Sequence, residues 1–275
     1  MPRSTRLGVL GWPVAHSLSP ALQNAALKAA GLSGWRYQLL PVPSEAFPDT
    51  VRALPAAGFR GANVTIPHKR AALDLAAETT VRAREIGAAN TLVFTEDGNA
   101  EADNTDAPAL VEALPFAPAG KTALVLGAGG SARAAVWALL DAGAGDVRVW
   151  NRTPERAGEL CEQLGGTAVK AAEPADILVN CTSVGLHGGD RTFEQLPLRP
   201  EQLSEHGCVV DFVYASDDTE LVRVARERGV PVVDGLDLLV RQGALSFEQF
   251  TGRSAPVDVM REAVRAERAA IVPSR

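Results

Sequence analysis

The sequence predicts two α/β domains built on mostly parallel sheets. Three observations carry that prediction. Short apolar runs alternate with helical patterns along most of the 275 residues, as in parallel strands joined by crossover helices. One such alternation, Lys121 to Gly143, breaks at its strand-to-helix join on Gly127, Gly129 and Gly130. A chain of 275 residues also points to about two domains.

In chain order, Leu7 to Leu10 reads as a strand ended by Gly11-Trp12-Pro13. Ser19 before Pro20 predicts the start of a helix running to about Ala30, with Ser19 as its cap. Ser17, two residues earlier in an extended segment, turns its hydroxyl to the same side, and two hydroxyls beside a helix N-terminus suit a carboxylate. Trp35 to Val42 reads as a strand, Ser44 to Leu54 as a helix and Phe59 to Val64 as a third strand. In such sheets ligands bind at the carboxyl ends of the strands, which is where Asn63 to Lys69, NVTIPHK, falls. Asn63 and Thr65 alternate there with Val64 and Ile66, which are expected to face inward, and Pro67 is expected to open a helix with Lys69 in its first turn. That position costs a lysine roughly 0.3–1 kcal/mol against the helix dipole, so placement alone assigns it no role. Helical patterns then run to about Ile86, Gly87 to Phe94 reads as a strand with a polar hairpin around Glu96 to Ala100, and a helix reaches about Leu114. Asp103-Asn104-Thr105-Asp106 precedes that helix and, on residue chemistry alone, is a capping cluster in which Asp106 is structural.

Pro115 to Gly120 reads as a linker into the glycine-rich unit. Glycines at such a turn let a ligand approach the backbone, and the free N–H groups of the new helix point at an anion there. Val147 to Trp150 gives the next strand, followed by Asn151-Arg152-Thr153, where a dinucleotide fold grips the adenosine ribose. NAD-preferring versions place Asp or Glu about 20 residues past the glycines. Here Arg152, with Arg156 one helical turn on, can neutralise a 2′-phosphate instead, at roughly 1.5–3 kcal/mol per charge-assisted bond, so NADP is expected over NAD. Thr153 can cap the helix opening at Pro154 without excluding that role. Beyond a helix to about Leu164 and a short strand near Ala168, Ile177 to Val179 forms a strand that stops on Asn180-Cys181-Thr182-Ser183-Val184-Gly185, a polar rim. A Gly/Pro-rich excursion from His187 to Pro200 is expected to be mobile. Val209 to Phe212 and Val230 to Val233 read as strands around a helix at Glu220 to Arg228. Helices then run from about 236 through Phe250, with Gln242 on an apolar face, and from Val257 to Ala270. They have no sheet of their own and are expected to return to the first domain. The expected division is therefore 1–103 with 236–275, and 104–235, around a cleft.

The composition, 46% hydrophobic and 22% charged, is that of a globular chain with real cores. A net charge of −6 gives no attraction to phosphate backbones, so no nucleic-acid partner is expected. Cys161, Cys181 and Cys208 read as buried thiols in a reducing compartment, and His16, His68, His187 and His206 lack metal-ligand spacing, so no metal is expected. Gly8, Gly11 and Pro13 interrupt the one N-terminal patch that imitates a signal peptide, and no run of about 20 apolar residues spans a bilayer. A cytoplasmic protein without membrane contact, monomeric or homodimeric, is expected.

At this point the chain resembles shikimate dehydrogenase, nearly end to end and in order: HSLSP (His16 to Pro20), NVTIPHK, GAANT (Gly87 to Thr91), NTD (Asn104 to Asp106), GAGGSAR (Gly127 to Arg133), NRT (Asn151 to Thr153), NCTSVG (Asn180 to Gly185) and GLDLLVRQG (Gly235 to Gly243). The resemblance implies a substrate domain joined to a Rossmann-type NADP-binding domain, and NADP-dependent, reversible reduction of 3-dehydroshikimate to shikimate in aromatic amino-acid biosynthesis. It puts Ser17, Ser19 and Tyr214 on the substrate carboxylate, Thr65, Asn90 and Gln242 on the ring hydroxyls, and Lys69 with Asp106 at the reacting carbon, which replaces the structural reading of Asp106. It puts the cofactor on Gly127, Ala128, Gly129, Gly130, Ser131 and Ala132, on Asn151, Arg152, Thr153 and Arg156, and on Thr182, Ser183, Val213 and Gly235. The chain departs from the family at Gln23, usually His, at Ala107 after NTD, at Asp237-Leu238, often Met-Leu, and after Tyr214, where Ala215-Ser216 replaces a proline-containing turn.

Other readings are set apart by single features. A quinate/shikimate dehydrogenase that uses NAD tends to carry an acid near Arg152. A folate-type dehydrogenase does not explain the Ser17 and Ser19 pair. A methyltransferase wants an acid near Asn151, and a non-catalytic NADP-binding protein has no use for both Lys69 and Asp106.

Overall fold

A computed structural model describes residues 4–186 and 191–271. The chain divides into two compact units, Met1–Thr105 with Leu239–Ile271, and Asp106–Leu238.

The first unit holds strands β1 (Thr5–Gly11), β2 (Trp35–Pro41), β3 (Phe59–Val64), β4 (Glu78–Thr79), β5 (Thr91–Phe94) and β6 (Ala100–Asp103), and helices α1 (Ser19–Ala29), α2 (Phe47–Ala53), α3 (Lys69–Leu75) and α4 (Val81–Ile86). Its sheet runs β2-β1-β3-β5-β6-β4. β1 pairs in parallel with β2 and β3, and β4 with β6, while β5 is antiparallel to both its neighbours. The short link from Phe94 to Ala100 permits only the antiparallel arrangement. Leu10, Phe47, Phe59, Val64, Leu92 and Phe94 are among the buried residues of its core.

Three expectations fail here. The helical pattern after Pro67 is not continuous to Ile86. α3 stops at Leu75, and the Thr80 hydroxyl accepts the Ala83 N–H at 3.1 Å to begin α4. A threonine at an N-cap satisfies an amide that a continuous helix would bond internally. Nor does Ile66 face inward: it is 53% exposed, because β3 ends at Val64 and strand alternation ends with it. Pro67, after a cis peptide bond, lies ahead of α3 rather than inside it, and His68 takes the N-cap position.

The second unit holds β7 (Thr122–Leu126), β8 (Asp146–Trp150), β9 (Thr167–Ala168), β10 (Ile177–Asn180), β11 (Cys208–Asp211) and β12 (Val232–Val233), all parallel, in the order β12-β11-β10-β7-β8-β9. This is the doubly wound order, whose direction reverses between β7 and β10. Helices α5 (Asp106–Ala113), α6 (Gly130–Asp141), α7 (Pro154–Leu164), α8 (Thr192–Gln195) and α9 (Glu220–Glu227) belong to it, and α10 (Gly235–Thr251) and α11 (Val257–Ile271) follow. Val125, Val149, Val179 and Val210 pack under Ala132 and Val136 of α6, whereas Leu124, Leu178 and Val209 pack under Leu221 and Ala225 of α9. Burial on both faces is why these strands read as unbroken apolar runs.

The divisions fall after Thr105 and after Leu238, the second inside α10, rather than after 103 and 235. α11 lies against α1 within the first unit. Of the excursion expected from His187 to Pro200, 187–190 lie outside the described residues, as does the tail 272–275; α8 occupies 192–195.

Candidate active site

In the first unit the candidate residues stand at the carboxyl ends of β1 and β3 and on the helices beside them. Ser17 Oγ lies 3.2 Å from Ser19 Oγ, so the two hydroxyls converge. Ser19 is the first residue of α1 and not its cap: Leu18 holds that position, and the Ser19 N–H donates to Ser17 Oγ at 3.3 Å. A hydroxyl two residues upstream reached the amide first. Thr65 is fixed by its backbone, whose N–H donates to the Leu10 carbonyl at 2.8 Å and whose carbonyl accepts from the His68 N–H at 2.9 Å. Lys69 starts α3 and is 9% exposed, its carbonyl accepting the Ala89 N–H at 2.8 Å. The His68 ring stacks on Phe47 at 4.2 Å and meets the Val42 carbonyl at 2.7 Å. Burial lowers the His68 pKa, and the bond to Val42 offsets part of that.

Asn90 is the centre of a buried polar network. Its Oδ1 accepts from the Thr105 N–H at 2.7 Å and from the Thr105 hydroxyl at 3.1 Å, and its backbone N–H donates to the Asp103 carbonyl at 3.0 Å. Its Nδ2 reaches Gln242 Oε1 at 3.5 Å, the outer limit of a hydrogen bond. Gln242 also donates to the Leu239 carbonyl of α10 at 2.9 Å. Asn63 joins through its Nδ2, which donates to the Asn90 carbonyl at 3.3 Å, and its Oδ1 accepts from the Tyr37 hydroxyl at 2.8 Å. Asn90 thus holds the N–H and hydroxyl of Thr105, the residue before Asp106, and Asp106 itself, first residue of α5, is 7% exposed.

Asp103, the last residue of β6, gathers four neighbours onto one carboxylate. Thr80 Oγ1 donates at 2.7 Å, the Asn104 N–H at 2.7 Å and Gln249 Nε2 at 2.7 Å. Arg82 donates through Nε at 3.1 Å and through Nη2. Burial alone would raise this carboxyl, but the bonds from Arg82 and Thr80, the Arg82 charge and the Asn104 N–H hold it below the usual value.

In the second unit the glycine-rich turn joins β7 to α6. Gly127 sits at φ 111°, and a Cβ there would lie 3.1 Å from the Cys181 backbone. Only glycine takes that conformation and that contact without strain. A Cβ built on Gly129 meets nothing within 4 Å, so the N-terminus of α6 is open to an anion. Ala128, Gly130 and Ser131 are half-buried and Ala132 is core. Arg152, Thr153 and Arg156 are exposed, and Asn151 Nδ2 donates to the Thr153 carbonyl at 2.8 Å. Thr153 stands at the N-cap of α7, yet its side chain makes no capping bond, so the expected cap is positional only. Thr182 and Ser183 follow β10, and Val213 and Tyr214 follow β11. A Cβ on Gly235 would stand 2.4 Å from the Val213 carbonyl oxygen, which fixes that position as glycine.

Among residues that sequence reasoning passed over, Tyr37 and Asp211 are prominent, and Asp103, read only as part of a capping cluster, instead gathers Thr80, Arg82 and Gln249. Asp211 ends β11 fully buried and accepts from Asn180 Nδ2 at 2.9 Å, the Val213 N–H at 3.0 Å and Thr219 Oγ1 at 2.6 Å. Burial pushes its carboxyl up to about 6 against those three donors, with the Asp234 charge adding to the rise. An acid closing an otherwise apolar strand was the available signal for Asp211, and it does not by itself tell a buried acid from a solvated one. Among the described residues no cluster of three His, Cys, Asp or Glu side chains is placed to hold a metal, and no helix is long and apolar enough to cross a membrane.

Models of the shikimate dehydrogenase substrate binding domain, of shikimate/quinate 5-dehydrogenase and of the shikimate 5′-dehydrogenase C-terminal domain match residues 9–92, 112–184 and 235–265. The chain is 46% identical to the NADP(+) shikimate dehydrogenase of Thermus thermophilus, over 94% of this chain and 97% of that one. It is 43% identical to that of Anaeromyxobacter sp. strain K, over 98% of each. The shikimate 5-dehydrogenase of a second Thermus thermophilus strain, solved in complex with NADP(H) and shikimate, superposes with a TM-score of 0.84 at 43% identity, covering 95% of this chain and 99% of that one. A ligand-free 5-ketofructose reductase of Gluconobacter sp. strain CHM43 also reaches 0.84, at 30% identity and 97% and 100% coverage, so the architecture also serves proteins named for another substrate. Full-length identity at this level is decisive: this chain belongs to the shikimate dehydrogenase family.

Proposed function

We propose that this chain catalyses the NADP-dependent, reversible reduction of 3-dehydroshikimate to shikimate, a step of aromatic amino-acid biosynthesis. One observation carries the reading: near-full-length likeness to NADP(+) shikimate dehydrogenases, including one solved with both NADP(H) and shikimate. The reduced cofactor, NADPH, would supply the hydride for reduction and leave as NADP+, which would take a hydride back in the reverse direction. The open N-terminus of α6 and the exposed Arg152 and Arg156 fit its phosphates. Gly127 to Ala132, Asn151, Thr153, Thr182, Ser183, Val213 and Gly235 complete the proposed cofactor contacts.

On the substrate side, the convergent hydroxyls of Ser17 and Ser19, with Tyr214, take the carboxylate, and Thr65, Asn90 and Gln242 take the ring hydroxyls. Reduction of the carbonyl leaves charge on its oxygen. Lys69 Nζ delivers a proton to that oxygen, and Asp106 orients both the lysine and the adjoining hydroxyl. Asn90 is held by Thr105 before substrate arrives, so its orientation is not spent on binding. The partners in this reading are two small molecules, and a net charge of −6 disfavours nucleic acid. Cys161, Cys181 and Cys208 as free thiols agree with a cytoplasmic setting.

The direct test follows the product. Purified protein given 3-dehydroshikimate and NADPH should yield shikimate as the one new species by proton NMR. Unchanged substrate, or a different alcohol, would overturn the proposal.

A further inference from the structure

The loops after β10 and β11 share one anchor. Asn180 and Asp211, the last residues of those strands, are register partners, and the Asn180 amide donates to Asp211 Oδ1 at 2.9 Å. The other end of that amide, Asn180 Oδ1, accepts both the Thr182 N–H at 3.1 Å and the Thr182 hydroxyl at 2.7 Å. Thr182 Oγ1 in turn accepts the Val184 N–H at 3.1 Å. On the β11 side, Asp211 Oδ1 takes the Val213 N–H at 3.0 Å, while Oδ2 takes the Thr219 hydroxyl at 2.6 Å. Thr219 also caps α9 through the Val222 N–H at 3.3 Å. Asn180 and Asp211 are both fully buried.

A carboxylate accepts at both oxygens and donates at neither. It therefore dictates which way the Asn180 amide points, with nitrogen toward Asp211 and oxygen toward Thr182. Reversing that amide would set two acceptors against each other and deprive Thr182 of both its bonds. Asp211 thus fixes, through one intermediary, the peptide after β10 and, directly, the peptide after β11. Both peptides lie at the carboxyl edge of the doubly wound sheet, beside its switch point between β7 and β10, where such sheets bind ligands.

We infer that Asp211 is a positioning residue for the NADP-binding loops, orienting Thr182 through Asn180 and Val213 through its N–H without touching the cofactor. The inference rests on the reading of this chain as NADP-dependent. A residue that only stabilises the fold would affect substrate and cofactor alike; these bonds run to Thr182, Val184, Val213 and the cap of α9, and none of them goes to a residue assigned to the substrate.

The test uses Asp211→Asn, which keeps the shape and removes the obligatory acceptor. Three quantities are measured on wild type and variant: the NADP dissociation constant by calorimetry, the shikimate dissociation constant without cofactor, and the thermal midpoint. The expected result is NADP affinity weakened at least tenfold with shikimate affinity within twofold. The exchange variant Asp211→Asn with Asn180→Asp, which restores one amide facing one carboxylate, should recover part of that loss. NADP affinity within twofold of wild type, or equal losses for both ligands, overturns the inference. Should Asp211→Asn not fold, Asn180→Ala decides on the same criteria, since it cuts the relay to Thr182 and keeps the carboxylate. A wild type that binds no NADP would instead overturn the reading beneath it.

Discussion

Two buried aspartates, one in each unit, close a strand in the same way and titrate in opposite directions. Asp103 ends β6 and Asp211 ends β11, and each is ringed by donors. Asp103 has the Arg82 guanidinium among them and is held below the usual carboxylate value. Asp211 has neutral donors only and is pushed up to about 6. At Asp211 three neutral hydrogen bonds do not offset the burial of the charge, whereas at Asp103 the Arg82 cation and the surrounding donors do. The units use arginine differently in the same sense. Arg82 is committed to an internal carboxylate, whereas Arg152 is exposed, available to a phosphate from outside.

The largest contrast is expected in catalysis. Lys69→Ala should lower turnover by about 100- to 10,000-fold, the usual contribution of a positioned general acid, and leave NADP affinity unchanged. Steady-state rates with a calorimetric NADP titration check this, and normal turnover removes Lys69 from the chemistry. Next is the pH dependence of stability. Between the ordinary 3.8 and about 6 the folded chain keeps a proton on Asp211 that the unfolded chain has lost. Stability from this group therefore falls as pH rises through that window, by roughly 3 kcal/mol in all. Asp103 acts with the other sign: its contribution is present above its ordinary value and lost as pH falls through its lowered one. Thermal midpoints of wild type and Asp211→Asn from pH 4 to 7 should converge at the acid end, with wild type losing ground as pH rises. Parallel curves would contradict the assignment.

Arg152→Ala should weaken NADP by about 1.5–3 kcal/mol, the value of a charge-assisted hydrogen bond, and leave NAD binding as it is, which a pair of titrations decides. The smallest effect is on the other arginine. Arg82→Gln strips the cation from Asp103 and should cost about 1–2 kcal/mol of stability, less than a fully buried pair because the Arg82 side chain is 32% exposed. Its clearest sign is an Asp103 carboxyl that titrates higher by NMR, making it resemble Asp211.

Much of the fold was legible because both faces of the second sheet are covered, so Thr122–Leu126 and Ile177–Asn180 stand out as apolar runs between helical patterns. The break at Thr80 was hidden because a threonine inside a helical pattern becomes a cap only where its hydroxyl finds the Ala83 amide. Ser19 misled for a related reason, since which of two nearby hydroxyls meets an amide depends on backbone angles that composition does not encode. The candidate polar residues were recognisable by type and by resemblance, but their supports were not. Gln249 reaches Asp103 across 146 residues of sequence, and no local pattern marks an acid at a strand end as buried rather than solvated.

The central claim, that this chain is an NADP-dependent shikimate dehydrogenase, is tested most directly by the near-ultraviolet absorbance of reduced nicotinamide. Purified protein is given shikimate or quinate with NADP or NAD, at matched concentrations. Turnover confined largely to shikimate with NADP is the predicted result. Comparable rates with quinate or with NAD, or none in any combination, would contradict it.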